Sequence, residues 1–153
     1  MFKRIQNLCI KKGLRVAVAE SCTGGLLSKI ITDIPGSSEY FWGSIVCYSN
    51  EAKMKFLKVK KDSLEIYGAV SRQVAIEMVE GISNISKADI NIAITGIAGP
   101  GGGTEGKPVG TVFVAIKYKK SIKIFHLKFK GSRKSIRKKT AKFVSKKLLD
   151  ILK

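Results

Sequence analysis

The sequence predicts one α/β domain over residues 1–153, a three-layer α/β/α sandwich around a mixed sheet of about five strands. Three observations predict it. Short runs of β-branched and small apolar residues alternate with segments of helical periodicity, the pattern of parallel strands joined by helices. Two later strand-like runs, 110–118 and 121–129, are separated only by Lys119-Lys120, which allows only an antiparallel pair. A chain of 153 residues with 44% apolar content is long enough to bury one sizeable core.

Residues 2–12 place Ile5, Leu8 and Cys9 on one side of a first helix that Gly13 ends. The first strand is expected over 15–19, followed by a helix over 23–33 carrying Leu26, Leu27, Ile30 and Ile31. The Pro35-Gly36 pair forces a turn. Residues 41–48 are rich in aromatic and β-branched types and read as a second strand. Ser49-Asn50-Glu51 caps a short helix bearing Met54, Phe56 and Leu57. A brief helical turn is expected over 63–67. Ser71 then caps a longer helix with Val74, Ala75, Met78, Val79 and Ile82 at helical spacing. A third strand is expected over 89–95. Residues 96–108 are too rich in glycine for a regular element, and a loop that long in a small domain is commonly functional. After the antiparallel pair, 133–152 form a closing amphipathic helix with Ile136, Phe143, Val144, Leu148 and Leu149 inside.

Composition excludes several classes of function. No apolar run has membrane-spanning length, and residues 1–8 lack the apolar core of a signal peptide. The odd, scattered set Cys9, Cys22 and Cys47 suits reduced thiols, so a cytoplasmic location is expected. With His126 as the one histidine, no zinc cluster is expected. The net charge of +18 is uneven, because residues 114–153 hold 15 Lys and Arg against one acid. Lysine dominates that excess and stacking aromatics are not interleaved with it, so it reads as a solvated face, and nucleic acid is not expected as a partner.

Three stretches have the composition of a site. The first is Val16-Ala17-Val18-Ala19-Glu20-Ser21-Cys22-Thr23-Gly24-Gly25, where a buried strand opens into a helix and brings a hydroxyl, a thiol and unpaired amides to the mouth of a sheet. The same residue types also build ordinary turns. The second is Tyr48-Ser49-Asn50-Glu51-Ala52-Lys53, again at a strand-to-helix passage. If the first two strands are parallel neighbours, Ser21 and Lys53 face each other across one cleft. A desolvated lysine amine can then take a serine proton without a histidine, with the Tyr48 phenol able to hold or relay it. A solvated lysine and a packed aromatic are the plainer readings of Lys53 and Tyr48. The third stretch runs from Ile94 to Thr111. Its Gly101–Lys107 spacing imitates a phosphate loop, but Pro108 stands where the magnesium-binding hydroxyl belongs, which argues against an NTPase. Its glycines still admit close approach of a ligand, and Thr95 ends a strand with a hydroxyl available.

Together these stretches resemble the C-terminal domain of the CinA (competence/damage-inducible) family, whose stand-alone members, PncC, are nicotinamide-nucleotide amidases of the pyridine nucleotide cycle. The resemblance rests on Ala19-Glu20-Ser21-Cys22-Thr23-Gly24-Gly25, Pro35-Gly36-Ser37-Ser38, Tyr48-Ser49-Asn50-Glu51-Ala52-Lys53, Gly68-Ala69-Val70-Ser71, Thr95-Gly96-Ile97-Ala98-Gly99-Pro100 and Lys107-Pro108-Val109-Gly110-Thr111, in family order. It implies hydrolysis of nicotinamide mononucleotide to nicotinic acid mononucleotide and ammonia through an acyl-enzyme. Ser21 would be the nucleophile, Lys53 its base, Tyr48 a supporting hydroxyl and Thr95 an auxiliary one. Thr23, Gly24, Gly25, Asn50, Gly96 and Gly99 would bind the substrate, together with an arginine that is either Arg133 or Arg137. Cys22 is a rival nucleophile, since a helix N-terminus lowers a thiol pKa. No metal or organic cofactor is implied. A homodimer or higher homo-oligomer is expected, and the extra N-terminal pyrophosphatase domain of some family members is not expected in this sequence. The competing reading is a non-catalytic binding module that uses the basic C-terminal helix.

Overall fold

The alternation in the sequence becomes a sheet covered on both faces. The computed structural model describes residues 1–153, with α1 at Phe2–Lys12, β1 at Val16–Glu20, α2 at Leu26–Thr32, a 3-10 turn at Ser37–Glu39 and β2 at Phe41–Val46. There follow α3 at Asn50–Leu57, α4 at Lys61–Tyr67, α5 at Arg72–Ser86, β3 at Ile90–Gly96, β4 at Thr111–Tyr118, β5 at Ser121–Lys128 and α6 at Arg133–Leu152. The strand order is β2-β1-β3-β4-β5. β1 is parallel to both β2 and β3, with Glu20 opposite Val46 and Ile94. β4 runs antiparallel to β3 and to β5. The first two strands are therefore parallel neighbours, the condition for Ser21 and Lys53 to share a cleft.

The pleat sorts side chains by size. Val16, Val18, Ile90, Ile92, Ile94, Val112, Val114 and Ile116 share one core with α1, α2 and α6. Ala17, Ala19, Ala93 and Ala115 point the other way, into a second core with α3, α4 and α5. Small residues on that face let α5 lie close to the sheet, and Gly81 extends the close packing to α3. A Cβ at Gly81 would fall 2.2 Å from the Leu57 carbonyl oxygen.

Serine caps hold the helix starts that the sequence predicts. Ser49, Ser71 and Ser132 accept hydrogen bonds from the backbone N–H of Ala52, Val74 and Ser135. Several boundaries differ from expectation, most of them by one residue. β1 continues to Glu20, and β2 stops at Val46, where the Cys47 amide donates to the Glu20 carbonyl and the chain turns. α4 begins at Lys61, two residues early. α2 begins at Leu26 and not at residue 23, because Gly24 and Gly25 take φ of +58° and +91°, which ends any helical path before them. In α3, Leu57 is buried while Phe56 is half exposed. No helix is long and apolar enough to cross a membrane.

Candidate active site

Parallel strands β2, β1 and β3 end on the same side of the sheet, and their exits form a cleft of about 270 Å³. Ser21 follows β1 directly and its amide donates to the Ile94 carbonyl, which fixes the residue beside β3. Lys53 lies on the first turns of α3 and points back into the cleft, 2% exposed. Its Nζ is 3.0 Å from Ser21 Oγ, and it donates to the carbonyl oxygens of Cys47 at 3.2 Å and Tyr48 at 3.3 Å. No carboxylate pairs with it. Burial therefore pushes the Lys53 amine below the ordinary lysine pKa.

The turn that carries Ser21 is held by Glu20, a fully buried carboxylate. It accepts from the backbone N–H groups of Gly25, Leu27 and Ser28 and from the Ser28 hydroxyl. It thus caps α2 from the end of the preceding strand. The amides at the start of α2 are consequently committed to Glu20, which corrects the expectation that Ser21 sits on the helix N-terminus itself. The same geometry changes the standing of Cys22. Burial pushes its thiol up to about 12, and α2 begins only at Leu26, so no helix terminus acts on it. The Cys47 thiol is also raised by burial.

The structure gathers Ser21, Tyr48, Asn50, Lys53, Thr95, Gly96, Gly99 and Arg133 around this one cleft. It leaves Thr23, Gly24, Gly25 and Arg137 outside the wall. Thr23 is buried, and its carbonyl accepts from Nε and Nη2 of Arg137 at 3.1 and 2.6 Å. Arg137 therefore braces the serine turn from behind, packed over Gly24. Arg133 is the arginine that faces the cleft. It donates to the Gly99 carbonyl at 2.8 Å and to the Tyr48 hydroxyl at 2.6 Å. The Tyr48 side chain is 59% exposed at the rim, so Lys53 meets the carbonyl of this residue while its phenol meets Arg133. The Thr95 hydroxyl donates to the Ala69 carbonyl at 2.8 Å, which ties the Gly68–Ser71 segment to β3 and sets Ala69 and Val70 as an apolar wall.

Sequence reasoning missed the role of Glu20, although an acid ending an otherwise apolar strand is the signal. It also gave no task to Ala69 and Val70, for which no local pattern exists. No group of three or more His, Cys, Asp and Glu side chains is placed to hold a metal.

Fold and cleft together define an α/β domain with a buried serine–lysine pair at the carboxyl ends of parallel strands. The model of the CinA C-terminal domain family matches residues 1–152, and the chain belongs to that family. A CinA-like protein from Syntrophomonas wolfei is 55% identical over 130 residues, covering 85% of this chain and 31% of that protein. A CinA-like protein from Fusobacterium nucleatum is 52% identical over 155 residues, covering 97% of this chain and 38% of its own. The chain thus spans about a third of the length of the curated relatives it matches. Among solved structures, the competence/damage inducible protein CihA from Agrobacterium tumefaciens superposes with a TM-score of 0.96 at 38% identity, covering 99% of this chain and 93% of that one.

Proposed function

We propose that this chain hydrolyses the carboxamide of nicotinamide mononucleotide, giving nicotinic acid mononucleotide and ammonia. The observation that carries the reading is the arrangement around Lys53. A neutral amine has two N–H groups and one lone pair. The Cys47 and Tyr48 carbonyls accept the two N–H groups, which leaves the lone pair for the Ser21 hydroxyl 3.0 Å away. Burial without a counter-ion favours that neutral form.

The pyridinium ring draws electrons from the carboxamide carbon. As Ser21 Oγ attacks it, the hydroxyl proton passes to Lys53 Nζ. The ammonium of Lys53 then gives that proton to the departing nitrogen as the C–N bond breaks, which releases ammonia and leaves an acyl ester on Ser21. Water attacks the ester with Lys53 again as base, and Ser21 recovers its proton. The Ala69–Val70 wall suits the flat ring. Arg133, whose partners are two neutral oxygens and no carboxylate, suits the 5′-phosphate. No step calls for a metal or organic cofactor.

The test is ammonia release from nicotinamide mononucleotide by wild type, Ser21→Ala and Lys53→Met. Release by the wild type alone supports the reading. Equal release by Ser21→Ala overturns the assignment of the nucleophile, and no release by folded wild type overturns the activity.

A further inference from the structure

The charge that is only uneven along the sequence is segregated in space. α1 carries four basic residues and no acid, α2 one basic residue, and α6 eight basic residues against Asp150, a net of +12 for the layer. The opposite layer of α3, α4 and α5 carries four basic and five acidic residues, a net of −1. Of the thirteen basic side chains in the first layer, only Lys29 and Lys147 reach a carboxylate. A surface tuned for solubility intersperses both signs, as the α3–α5 layer does. Like charges at i,i+4 instead weaken a helix unless something neutralises them.

The unpaired cations also form a line. Lys134, Lys138, Lys142 and Lys146 are exposed and follow one another at four-residue intervals along α6. Each step rises about 6 Å, so the row is about 18 Å long. Lys3, Arg4 and Lys11 are exposed on the neighbouring α1. We infer that this α1–α6 face binds the phosphodiester backbone of nucleic acid, independently of base sequence.

Two alternatives fit the same face less well. Steering of a mononucleotide toward the cleft would use only the Arg133 end, because the far lysines lie more than one Debye length, about 8 Å, from it. An anionic bilayer engages a basic helix through apolar side chains that enter it. Here the apolar stripe of α6 is spent in the core, with Ile136, Val144, Leu148 and Leu152 at 1% exposure or less. Of the large exposed apolar residues, Phe56, Ile66, Tyr67 and Ile85 lie on the opposite layer, and the basic face offers only Met1 and Ile10, at the two ends of α1 and too few to anchor it. An extended polyanion that needs no insertion is what the row of lysines matches.

The test is fluorescence anisotropy of a labelled 20-base-pair DNA duplex titrated with the full chain between 50 and 200 mM KCl. Binding is expected, with log K falling linearly in log salt by about 0.9 per phosphate neutralised. The variant Lys138→Gln/Lys142→Gln/Lys146→Gln should flatten that slope by about 3 and weaken binding at 100 mM salt by at least about tenfold, with an unchanged circular dichroism spectrum. Lys55→Gln/Lys58→Gln on the other side should bind as wild type does. The inference fails if wild type leaves the duplex free at 50 mM salt, or if the triple variant binds as wild type does. It fails equally if both variants weaken alike, or if phosphatidylserine-containing vesicles outcompete the duplex. Each of these readouts is independent of whether the chain hydrolyses nicotinamide mononucleotide.

Discussion

Replacement of Glu20 by alanine tests how the serine turn is built. The carboxylate takes three backbone N–H groups and one hydroxyl, at 2.8 to 3.1 Å for the amides. Truncation leaves those three amides without an acceptor, the Leu27 amide in a buried position and the other two partly buried. An unsatisfied buried donor costs about 1–3 kcal/mol, and partly buried ones fall at the low end, so the three together amount to about 3–6 kcal/mol. That is a large part of the 5–15 kcal/mol typical of a whole domain. Glu20→Gln keeps the volume and one acceptor oxygen but turns an N–H₂ toward an amide, which costs roughly 1–3 kcal/mol. Thermal unfolding followed by circular dichroism should place Glu20→Ala about 6–24 °C below wild type, with Glu20→Gln between them. If Glu20→Ala melts within about 2 °C of wild type, the carboxylate is not what holds α2 and the reasoning is wrong.

Lys53→Met should abolish ammonia release and remove the cost of holding a buried amine neutral. The folded-state pKa of Lys53 lies below its unfolded value, so between the two the unfolded chain holds a proton that the folded chain lacks. Wild-type stability contributed by this group therefore rises with pH through that window, and urea titrations of Lys53→Met across pH should lack the rise. For the same reason, wild-type kcat/KM should increase with pH until the amine is neutral, at a pH below the ordinary lysine range. A profile that rises only through the ordinary lysine range would remove Lys53 as the base. Arg133→Gln should raise KM about tenfold or more with a smaller change in kcat, since it exchanges a charged donor for a neutral one. Arg137→Gln should act mainly on melting temperature, because its partner is the Thr23 carbonyl behind the turn. Gly81→Ala should destabilise by about 1–3 kcal/mol, read by denaturant unfolding, because the new methyl meets backbone that cannot yield.

Much of this protein was decided within short windows of its sequence. The caps at Ser49, Ser71 and Ser132, the turn at Pro35-Gly36 and the apolar runs of β1 and β3 follow from interactions over a few residues, and they suffice for the α/β class. The stretches around Ser21, Tyr48 and Thr95 have the composition of a site, but the same residues also build ordinary turns and loops, and it is their occurrence together in family order that sets them apart. Tertiary structure alone decided what those stretches do to one another. Ser21 and Lys53 are 32 residues apart and meet only because β2 lies parallel beside β1, a strand order that no local pattern specifies. The same holds for Arg133, which faces the cleft while Arg137, one helical turn further on, braces its back. It holds as well for Glu20, whose acceptors are used by the next helix, and for the lysines that a count along the chain could not assign to one face. Helix and turn preferences act through neighbouring residues. Cleft chemistry and surface charge depend on which distant segments the sheet brings together, and that is fixed only when the core packs.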